Sequence, residues 1–139
     1  MIILDTNVLS ELMKPKPDRR VVRWVDSQPA ASLFTTSITQ AEILHGIMLL
    51  APGLKRRAFE AAAEAMFRED FAGRVLAFGS DSAPPYARIA VDRRRAGRPI
   101  SHFDAQIAAI AVSCGTPVAT RNTADFEGCG VDLVNPWMA

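Results

Sequence analysis

The sequence predicts an α/β fold, with a mainly parallel central sheet of four to five strands and helices on both faces. Three observations predict this class. Short apolar runs alternate with longer amphipathic segments along the chain. The first run, residues 2–5, is apolar up to its final acid, as in a strand that is buried on both faces. The 139 residues, of which 49% are hydrophobic and 22% charged, suit one globular domain over 1–139.

In the first half of the chain, helix caps and stop signals separate the elements. Pro15 ends one helical pattern, and Pro52 with Gly53 ends another. Ser37 and Gln40 have the spacing of a capping box, which predicts a helix N-terminus at Ser37. The elements predicted here are a strand at 2–5, a helix from Asn7, a helix from Asp18, a strand at 32–36 and a helix from Ser37.

The second half repeats this alternation. The alanine-rich segment 54–70 has the composition and period of an amphipathic helix. Ser101 is predicted to cap a later helix, and Gly115 to end it. The remaining predicted elements are a strand at 74–78, a helix over 80–97, a helix over 101–115, a strand at 117–120 and a short fifth strand at 131–135.

Composition excludes several classes of protein. No segment has eighteen uncharged apolar residues, and "MIIL" lacks the basic region of a signal peptide, so we expect a cytoplasmic protein without a membrane partner. Cys114 and Cys129 are too few for a disulfide framework and lack the spacing of metal ligands. The net charge of +1 does not itself indicate nucleic-acid binding. Basic clusters at 19–23, 55–57 and 93–98 could line a phosphate-binding surface, but such clusters are more often solvated helix faces.

Four acids follow the predicted strands. Asp5 ends the first strand, and Glu42 lies early in the helix after the second. Asp104 stands three residues after Ser101, and Asp125 follows the fourth strand. Because ligands of parallel α/β sheets bind beyond the carboxyl ends of the strands, we expect these four acids to share one crevice.

The two helical acids are predicted to lie on apolar faces. Asp104 shares its face with Ile107 and Ala108, and Glu42 shares its face with Ile38 and Leu49. Buried carboxylates that repel one another are costly unless a cation neutralises them. Since the donors are oxygens without histidine or cysteine, the expected ion is Mg²⁺ or Mn²⁺. Such a site suits phosphodiester hydrolysis, in which one or two ions activate a water and stabilise the leaving oxygen.

Each acid also has an ordinary structural explanation. Asp5 would cap the following helix, and Asp104 would form half of a capping box with Ser101. Glu42 would pair with His45, and Asp125 would form a turn. These alternatives stay open for each residue taken singly. If all four explanations held at once, the four acids would stand at strand ends and on inward helix faces only by chance.

Other catalytic patterns are missing from the sequence. It contains no phosphate-binding loop, no dinucleotide fingerprint and no G-x-S-x-G elbow. Neither His45 nor His102 has an evident nucleophile partner. Phosphotransfer on Asp5, as in receiver domains, stays open as an alternative. In phosphatases with an aspartyl nucleophile a second acid stands two residues on, where this chain has Asn7.

The segments that carry these residues resemble a known family. In order they are "ILDTNVLSE", "TSITQAEILHG", "ISHFDAQIAAIA", "VATRNTADFEG" and "LVNPW". They resemble PIN-domain ribonucleases, specifically the VapC/FitB-type toxins of toxin–antitoxin pairs. The resemblance implies a PIN-like three-layer sandwich and a Mg²⁺- or Mn²⁺-dependent endoribonuclease. It also implies a homodimer, inhibition by a cognate VapB/FitA-like antitoxin, and a larger complex that binds operator DNA through the antitoxin.

Carried over by position, the resemblance assigns roles to individual residues. Asp5 and Asp104 correspond to the principal metal ligands, and Glu42 completes the acidic triad. A fourth acid stands in many members where this chain has Asn122, and in others at the position of Asp125, which we expect to take that role here. The residues expected to support the site are Thr6, Asn7, Thr120 and Asn122, and Arg121 is expected to bind substrate.

The sequence therefore predicts a metal-dependent endoribonuclease that acts as a toxin on RNA. An alternative follows from Asn122, which cannot supply charge, and from the modest net charge. It is a module of the same fold that binds RNA or a partner protein with little or no cleavage.

Overall fold

A five-stranded, wholly parallel sheet forms the centre of the protein in the computed structural model, which describes residues 1–139. The strands are β1 (Ile2–Leu4), β2 (Leu33–Thr36), β3 (Val75–Leu76), β4 (Val118–Ala119) and β5 (Leu133–Val134). Their order across the sheet is β3-β2-β1-β4-β5. The predicted parallel α/β class is confirmed, with β1 in the central position.

Seven helices connect and cover the strands. They are α1 (Thr6–Leu12), α2 (Arg19–Asp26), α3 (Ser37–Met48), α4 (Leu54–Ala65), α5 (Ala83–Arg95), α6 (His102–Cys114) and α7 (Thr123–Phe126). A π-helical turn, Met66–Asp70, extends α4, and short 3₁₀ turns precede β2 and α5. None of these helices is both long and apolar enough to cross a membrane.

The central strand separates two apolar clusters because its successive side chains point to opposite faces of the sheet. Leu4 packs in a cluster with residues of α1 to α4, among them Ile43. Ile3 packs in the other cluster, which is built mainly from α5 and α6 and includes Ile107. The arrangement is the predicted three-layer sandwich. Truncation of a fully buried residue such as Ile107 to alanine would cost about 2–5 kcal/mol of stability.

The strand register places the site. β1 pairs with β2 through Ile3 and Phe34, and with β4 through Leu4 and Ala119. Because all three strands run in one direction, their carboxyl ends lie along the same edge of the sheet. Asp5, directly after β1, therefore lies in the middle of that edge.

Several boundaries differ from the prediction. The N-cap of α3 is Thr36 rather than Ser37, because the Thr36 hydroxyl accepts the backbone N–H of Thr39 at 3.1 Å. The first helix begins at Thr6, one residue earlier than predicted, because Asp5 caps it. The last three strands are two residues each, shorter than their apolar runs. The short helix α7 has no counterpart in the prediction, since its four residues are too few to show a helical period.

Candidate active site

Hydrogen bonds hold the Asp5 carboxylate at the end of β1. Its Oδ1 accepts the backbone N–H of Thr6 at 2.8 Å. Its Oδ2 accepts from the Thr120 hydroxyl at 2.8 Å and from the Asn7 side-chain amide at 3.2 Å. Asp5 is only 4% exposed. An ionised carboxylate offers about four acceptor positions, so these bonds orient Asp5 and leave a position on Oδ1 for another ligand.

Asn7 joins the end of β1 to the end of β4. Its Nδ2 also donates to the Thr120 hydroxyl at 3.2 Å, and its Oδ1 accepts the backbone N–H of Arg121 at 3.1 Å. The Thr120 hydroxyl in turn accepts the backbone N–H of Asn122 at 3.1 Å. Asn7 and Thr120 therefore fix the position of Asp5 relative to the chain that follows β4.

Thr6 connects Asp5 with the second acid. Its hydroxyl donates to Glu42 Oε1 at 2.8 Å and lies 3.1 Å from the hydroxyl of Thr39. The backbone of Thr6 thus contacts Asp5 while its side chain contacts Glu42. Because Glu42 lies in the first half of α3, this bond holds its carboxylate beside the carboxyl end of β1.

Asp104 enters the site from the first turn of α6. Its backbone N–H donates to Ser101 Oγ at 3.1 Å, so Ser101 is the predicted N-cap. Asp104 is half-buried, and Ile107 and Ala108 on the same helix face are fully buried. Asp104 therefore lies on the buried face of α6, as the helical spacing predicted.

Burial, with a contribution from neighbouring negative charges, raises the pKa values of Asp5, Glu42 and Asp104. Burial raises the pKa of Asp5 to about 6; hydrogen bonds from Thr120 and Thr6 oppose the shift, and the charges of Asp104 and Glu42 add to it. Burial also raises the pKa of Glu42, against the hydrogen bond from Thr6, and the charge of Asp104 contributes. The site thus concentrates negative charge that is only partly compensated by hydrogen-bond donors.

Asp125 and Asn122 differ in their relation to this cluster. Both residues are exposed, and Asn122 occupies the N-cap position of α7 without a side-chain capping bond. Burial raises the pKa of Asp104, and the negative charge of Asp125 adds to that rise. Asp125, the expected fourth acid, therefore acts electrostatically on Asp104, whereas the Asn122 amide contributes no charge.

Arg121 lies at the rim of the site. Its guanidinium carbon is 5.2 Å from the centroid of the Trp137 ring, a cation–π arrangement. Its backbone is held by the bond to Asn7 described above, and its side chain is exposed. Trp137 therefore orients the Arg121 side chain. Hydrogen bonds from Arg20 lower the pKa of Asp18, and the positive charge of Arg121 also helps to lower it.

The donor set fits a hard divalent cation. None of the five salt bridges in the protein involves Asp5, Glu42 or Asp104, so no side-chain ammonium or guanidinium neutralises them directly. No three histidine, cysteine or acidic side chains are drawn together closely enough to enclose an ion by themselves. Mg²⁺ does not need such an enclosure, because it keeps several waters and is bound through one or two carboxylates with substrate phosphates.

Some sequence expectations about these acids need correction. Glu42 does not lie on a continuous buried face, because Leu49 on the same side of α3 is 74% exposed. This face is half-buried at Ile38 and Glu42 and exposed at Gly46. The alternative pairing of Glu42 with His45 is not formed, and Thr6 is the partner instead. Asp5 does cap α1, so its structural role and its place among the acids coexist.

Two arginines of the basic clusters, one buried and one exposed, bind other segments of the protein. Arg93 is buried and donates to backbone carbonyl groups, and Arg98 pairs with Glu127 at 3.0 Å. Sequence reasoning missed Arg93, although its position four residues after the buried Ile89 on α5 was a signal. It also missed Thr39, whose hydroxyl meets that of Thr6.

Comparison with known families matches residues 2–128 to the PIN domain. The chain is 42% identical to VapC ribonuclease Y4jK of Sinorhizobium fredii over 99% of its own length and 98% of the relative's. It is 39% identical to toxin FitB of Neisseria gonorrhoeae over 99% of both.

The chain is a PIN-domain protein of the VapC/FitB group. Its structure matches that of FitAB bound to the IR36 DNA fragment with a TM-score of 0.92 and 39% sequence identity, over 99% of this chain and 96% of the other. The match to the PIN domain spans all four acids, and the similarity to FitB extends to the closing segment that contains Trp137.

Proposed function

We propose that this PIN-domain protein is a Mg²⁺- or Mn²⁺-dependent endoribonuclease that acts as the toxin of a toxin–antitoxin pair. The observation that carries the proposal is the group of Asp5, Glu42 and Asp104, three carboxylates at the carboxyl edge of the sheet with raised pKa values and no basic side chain in a salt bridge with them. The relatives named as a ribonuclease and as a toxin support the same reading. We further propose that residues 1–139 work as one nuclease domain.

Each acid has a role in this proposal. Asp5 and Asp104 hold the cation, Glu42 completes the ligand set, and Asp125 adds negative charge beside Asp104. When bound, the cation supplies positive charge that lowers the pKa of the attacking water and stabilises the phosphodiester during displacement. Thr6, Asn7 and Thr120 keep the acids in place, so that little reorganisation is needed when the substrate binds.

The surface beside the acids supports RNA as the substrate. A pocket of about 300 Å³ runs from Thr6 and Glu42 to Lys55 and Phe59. Its far end offers an ammonium group for a phosphate and an aromatic ring for a base, the two contacts that single-stranded RNA uses. Arg121 is a second cation for the backbone of the RNA, oriented by Trp137.

A separate surface supports binding of an antitoxin. An apolar pocket of about 600 Å³ lies between α1, α2 and the end of α4, and nine of its eleven lining residues are hydrophobic. Exposed apolar side chains of Met48, Leu49 and Leu54 add to the apolar area on α3 and α4. We propose that a VapB/FitA-like antitoxin covers this surface. The resulting complex would bind operator DNA through the antitoxin, as the FitAB complex is bound to DNA.

The homodimer implied by the resemblance belongs to the same proposal. Light scattering during size-exclusion chromatography measures the mass of the protein in solution and so tests for the homodimer directly. Addition of the product of a small neighbouring reading frame would then give a larger complex if that product is the antitoxin.

The experiment that tests the catalytic proposal is cleavage of single-stranded RNA by the purified protein. We expect cleavage with Mg²⁺ or Mn²⁺, and none with excess chelator. Asp5→Asn and Asp104→Asn should abolish cleavage, whereas Asp92→Asn, an exposed acid on α5, should leave it unchanged. Undiminished cleavage by both site variants would contradict the proposal.

The alternative of a binding module draws on Asn122, which stands where many PIN-domain ribonucleases of this group have an acid. It predicts that the protein retains RNA under saturating Mn²⁺ without breaking the strand. Gel-shift and cleavage assays on the same labelled RNA separate the two functions.

A further inference from the structure

Arg93 is a buried cation that forms no salt bridge, and its positive charge opposes the rise that burial causes in the pKa of Asp104. It is 7% exposed, and it takes part in none of the salt bridges of the protein. A buried charge without compensation is costly, so its contacts must replace the water that it loses. Those contacts are directed at the segment that carries Asp125.

The guanidinium group of Arg93 donates to backbone oxygens on two sides. Its Nη1 donates to the carbonyl groups of Asp125 at 2.7 Å and Glu127 at 2.9 Å. Its Nε donates to the carbonyl group of Arg98 at 2.7 Å, and Nη1 lies 3.7 Å from the Cys129 sulfur. A single side chain of α5 therefore binds the end of α7 and the turn after it.

The segment 124–129 has few other attachments near Asp125. Phe126 and Cys129 are buried in the core, and Arg98 provides an exposed tie to Glu127 at 3.0 Å and to the carbonyl group of Ala124 at 3.2 Å. The Asp125 side chain itself makes no hydrogen bond and is exposed. The region that its carboxylate can reach is thus set by its backbone, which Arg93 holds at the Asp125 carbonyl.

We propose that Arg93 is a positioning residue that fixes segment 124–129 and so holds the Asp125 carboxylate toward Asp104. The inference rests on the proposed function, because it assigns to Arg93 the task of positioning Asp125, the fourth acid of the proposed nuclease. An arginine is required for this role, since its planar group donates in several fixed directions at once. A lysine presents one ammonium at the end of a flexible chain and cannot reach all of these carbonyl groups.

The first test uses amide hydrogen exchange of the metal-free protein and needs no activity. In Arg93→Lys the amides of 124–129 should exchange about tenfold faster or more, as expected for the loss of hydrogen bonds from a charged donor. The amides of α6 should be unchanged. Arg94→Lys, a change at the exposed neighbouring position, is the matched control and should exchange like the parent protein. Unchanged protection of 124–129 in Arg93→Lys would overturn the proposal.

The second test is a double-mutant cycle with Asp125→Asn, measured as kcat for RNA cleavage. If Arg93 acts through Asp125, Arg93→Lys should lower kcat by about the same factor as Asp125→Asn and should change it less than about twofold when Asp125 is already Asn. Equal losses in both backgrounds would mean that Arg93 stabilises the fold generally, and would overturn the proposal.

A second variant covers the case in which Arg93→Lys does not fold by circular dichroism. Arg98→Ala removes only the exposed tie to the same segment and should show a smaller effect with the same dependence on Asp125. A parent protein that does not cleave RNA would refute the proposed function while leaving the exchange result to decide the role of Arg93.

Discussion

The two ends of the candidate site are built differently. At the end of β1, Asp5 is buried and both of its carboxylate oxygens accept hydrogen bonds. After β4, Asp125 is exposed and only its backbone is held, by Arg93. The first end is a preformed anchor in which side chains orient the acid. At the second end the acid can turn about its own side-chain bonds, so a substitution there should be tolerated better.

The largest effect should distinguish the anchor from the second end. Asp5→Asn should reduce kcat/KM for RNA cleavage by about a hundredfold or more, because it removes a central ligand of the metal ion. Such an ion stabilises the charge of the transition state by several kcal/mol. Asp125→Asn should reduce kcat/KM by only about tenfold or less, because one charge in an exposed position is screened by solvent. Cleavage kinetics at saturating Mn²⁺ measure both. Equal losses would show that the two ends are equally important.

The next effect tests whether position 122 can replace position 125. In an Asp125→Asn background, Asn122→Asp should recover most of the lost activity, because its backbone is held near Asp5 through Thr120. The recovery should bring the rate to within about threefold of the parent protein, corresponding to less than 1 kcal/mol. The same Asn122→Asp change in the parent protein is the control. No recovery would mean that the direction of the acid at 125, and not merely charge after β4, is required.

A smaller effect should follow from removing the hydrogen bond between Thr120 and Asp5. Thr120→Val deletes a donor to the ionised carboxylate, so the pKa of Asp5 should rise further and the acidic limb of the pH–rate profile should move to higher pH. The loss of rate at pH 8 should be about fivefold to tenfold, the equivalent of about 1 kcal/mol or one ordinary hydrogen bond. Thr116→Val is the matched control, since Thr116 is also buried but bonds to the Met1 carbonyl group at the opposite end of the sheet. An unchanged pH–rate profile in Thr120→Val would show that Thr120 does not influence the ionisation of Asp5.

The last expected effect concerns thermal stability rather than rate, without and with metal. Burial raises the pKa of Asp5 from its ordinary value of 3.8 to about 6 in the folded protein, so the folded state binds more protons between these values. Its contribution to the unfolding free energy is therefore present at low pH and is lost as pH rises through 6, by up to about 3 kcal/mol. Because a cation binds the ionised form, Mn²⁺ should raise the Tm more at pH 8 than at pH 5. Thermal unfolding of the parent protein and of Asp5→Asn measures this difference, and a metal effect that is independent of pH would contradict it.

Much of the fold could be predicted because local signals agree with the tertiary structure. The apolar run at 2–5 and the caps at Asp5 and Ser101 identify β1, α1 and α6 and place two acids at the edge of the sheet. The short strands and α7 were harder to predict, since two to four residues are too few to show a hydrophobic period. The contact of Thr6 with Glu42 was also beyond the sequence, because it joins residues 36 positions apart through a particular side-chain geometry.

The role of Arg93 shows the main limit of sequence reasoning for the site. In the sequence it is one of three consecutive arginines, 93–95, and their composition favours a solvated helix face. Only the contacts of Arg93 with segment 125–129 show that it faces inward while its neighbours are exposed. The same limit applies to Asn122 and Asp125, whose different relations to Asp104 depend on the turn between them.

The central claim is that Asp5 anchors a divalent cation at the carboxyl edge of the sheet. Titration of Mn²⁺ followed by electron paramagnetic resonance at pH 8 tests it directly, in the parent protein, Asp5→Asn and Asp125→Asn. The account predicts saturable binding by the parent protein, binding weakened severalfold in Asp125→Asn, and no specific binding in Asp5→Asn. Binding by Asp5→Asn as tight as by the parent protein would contradict the account.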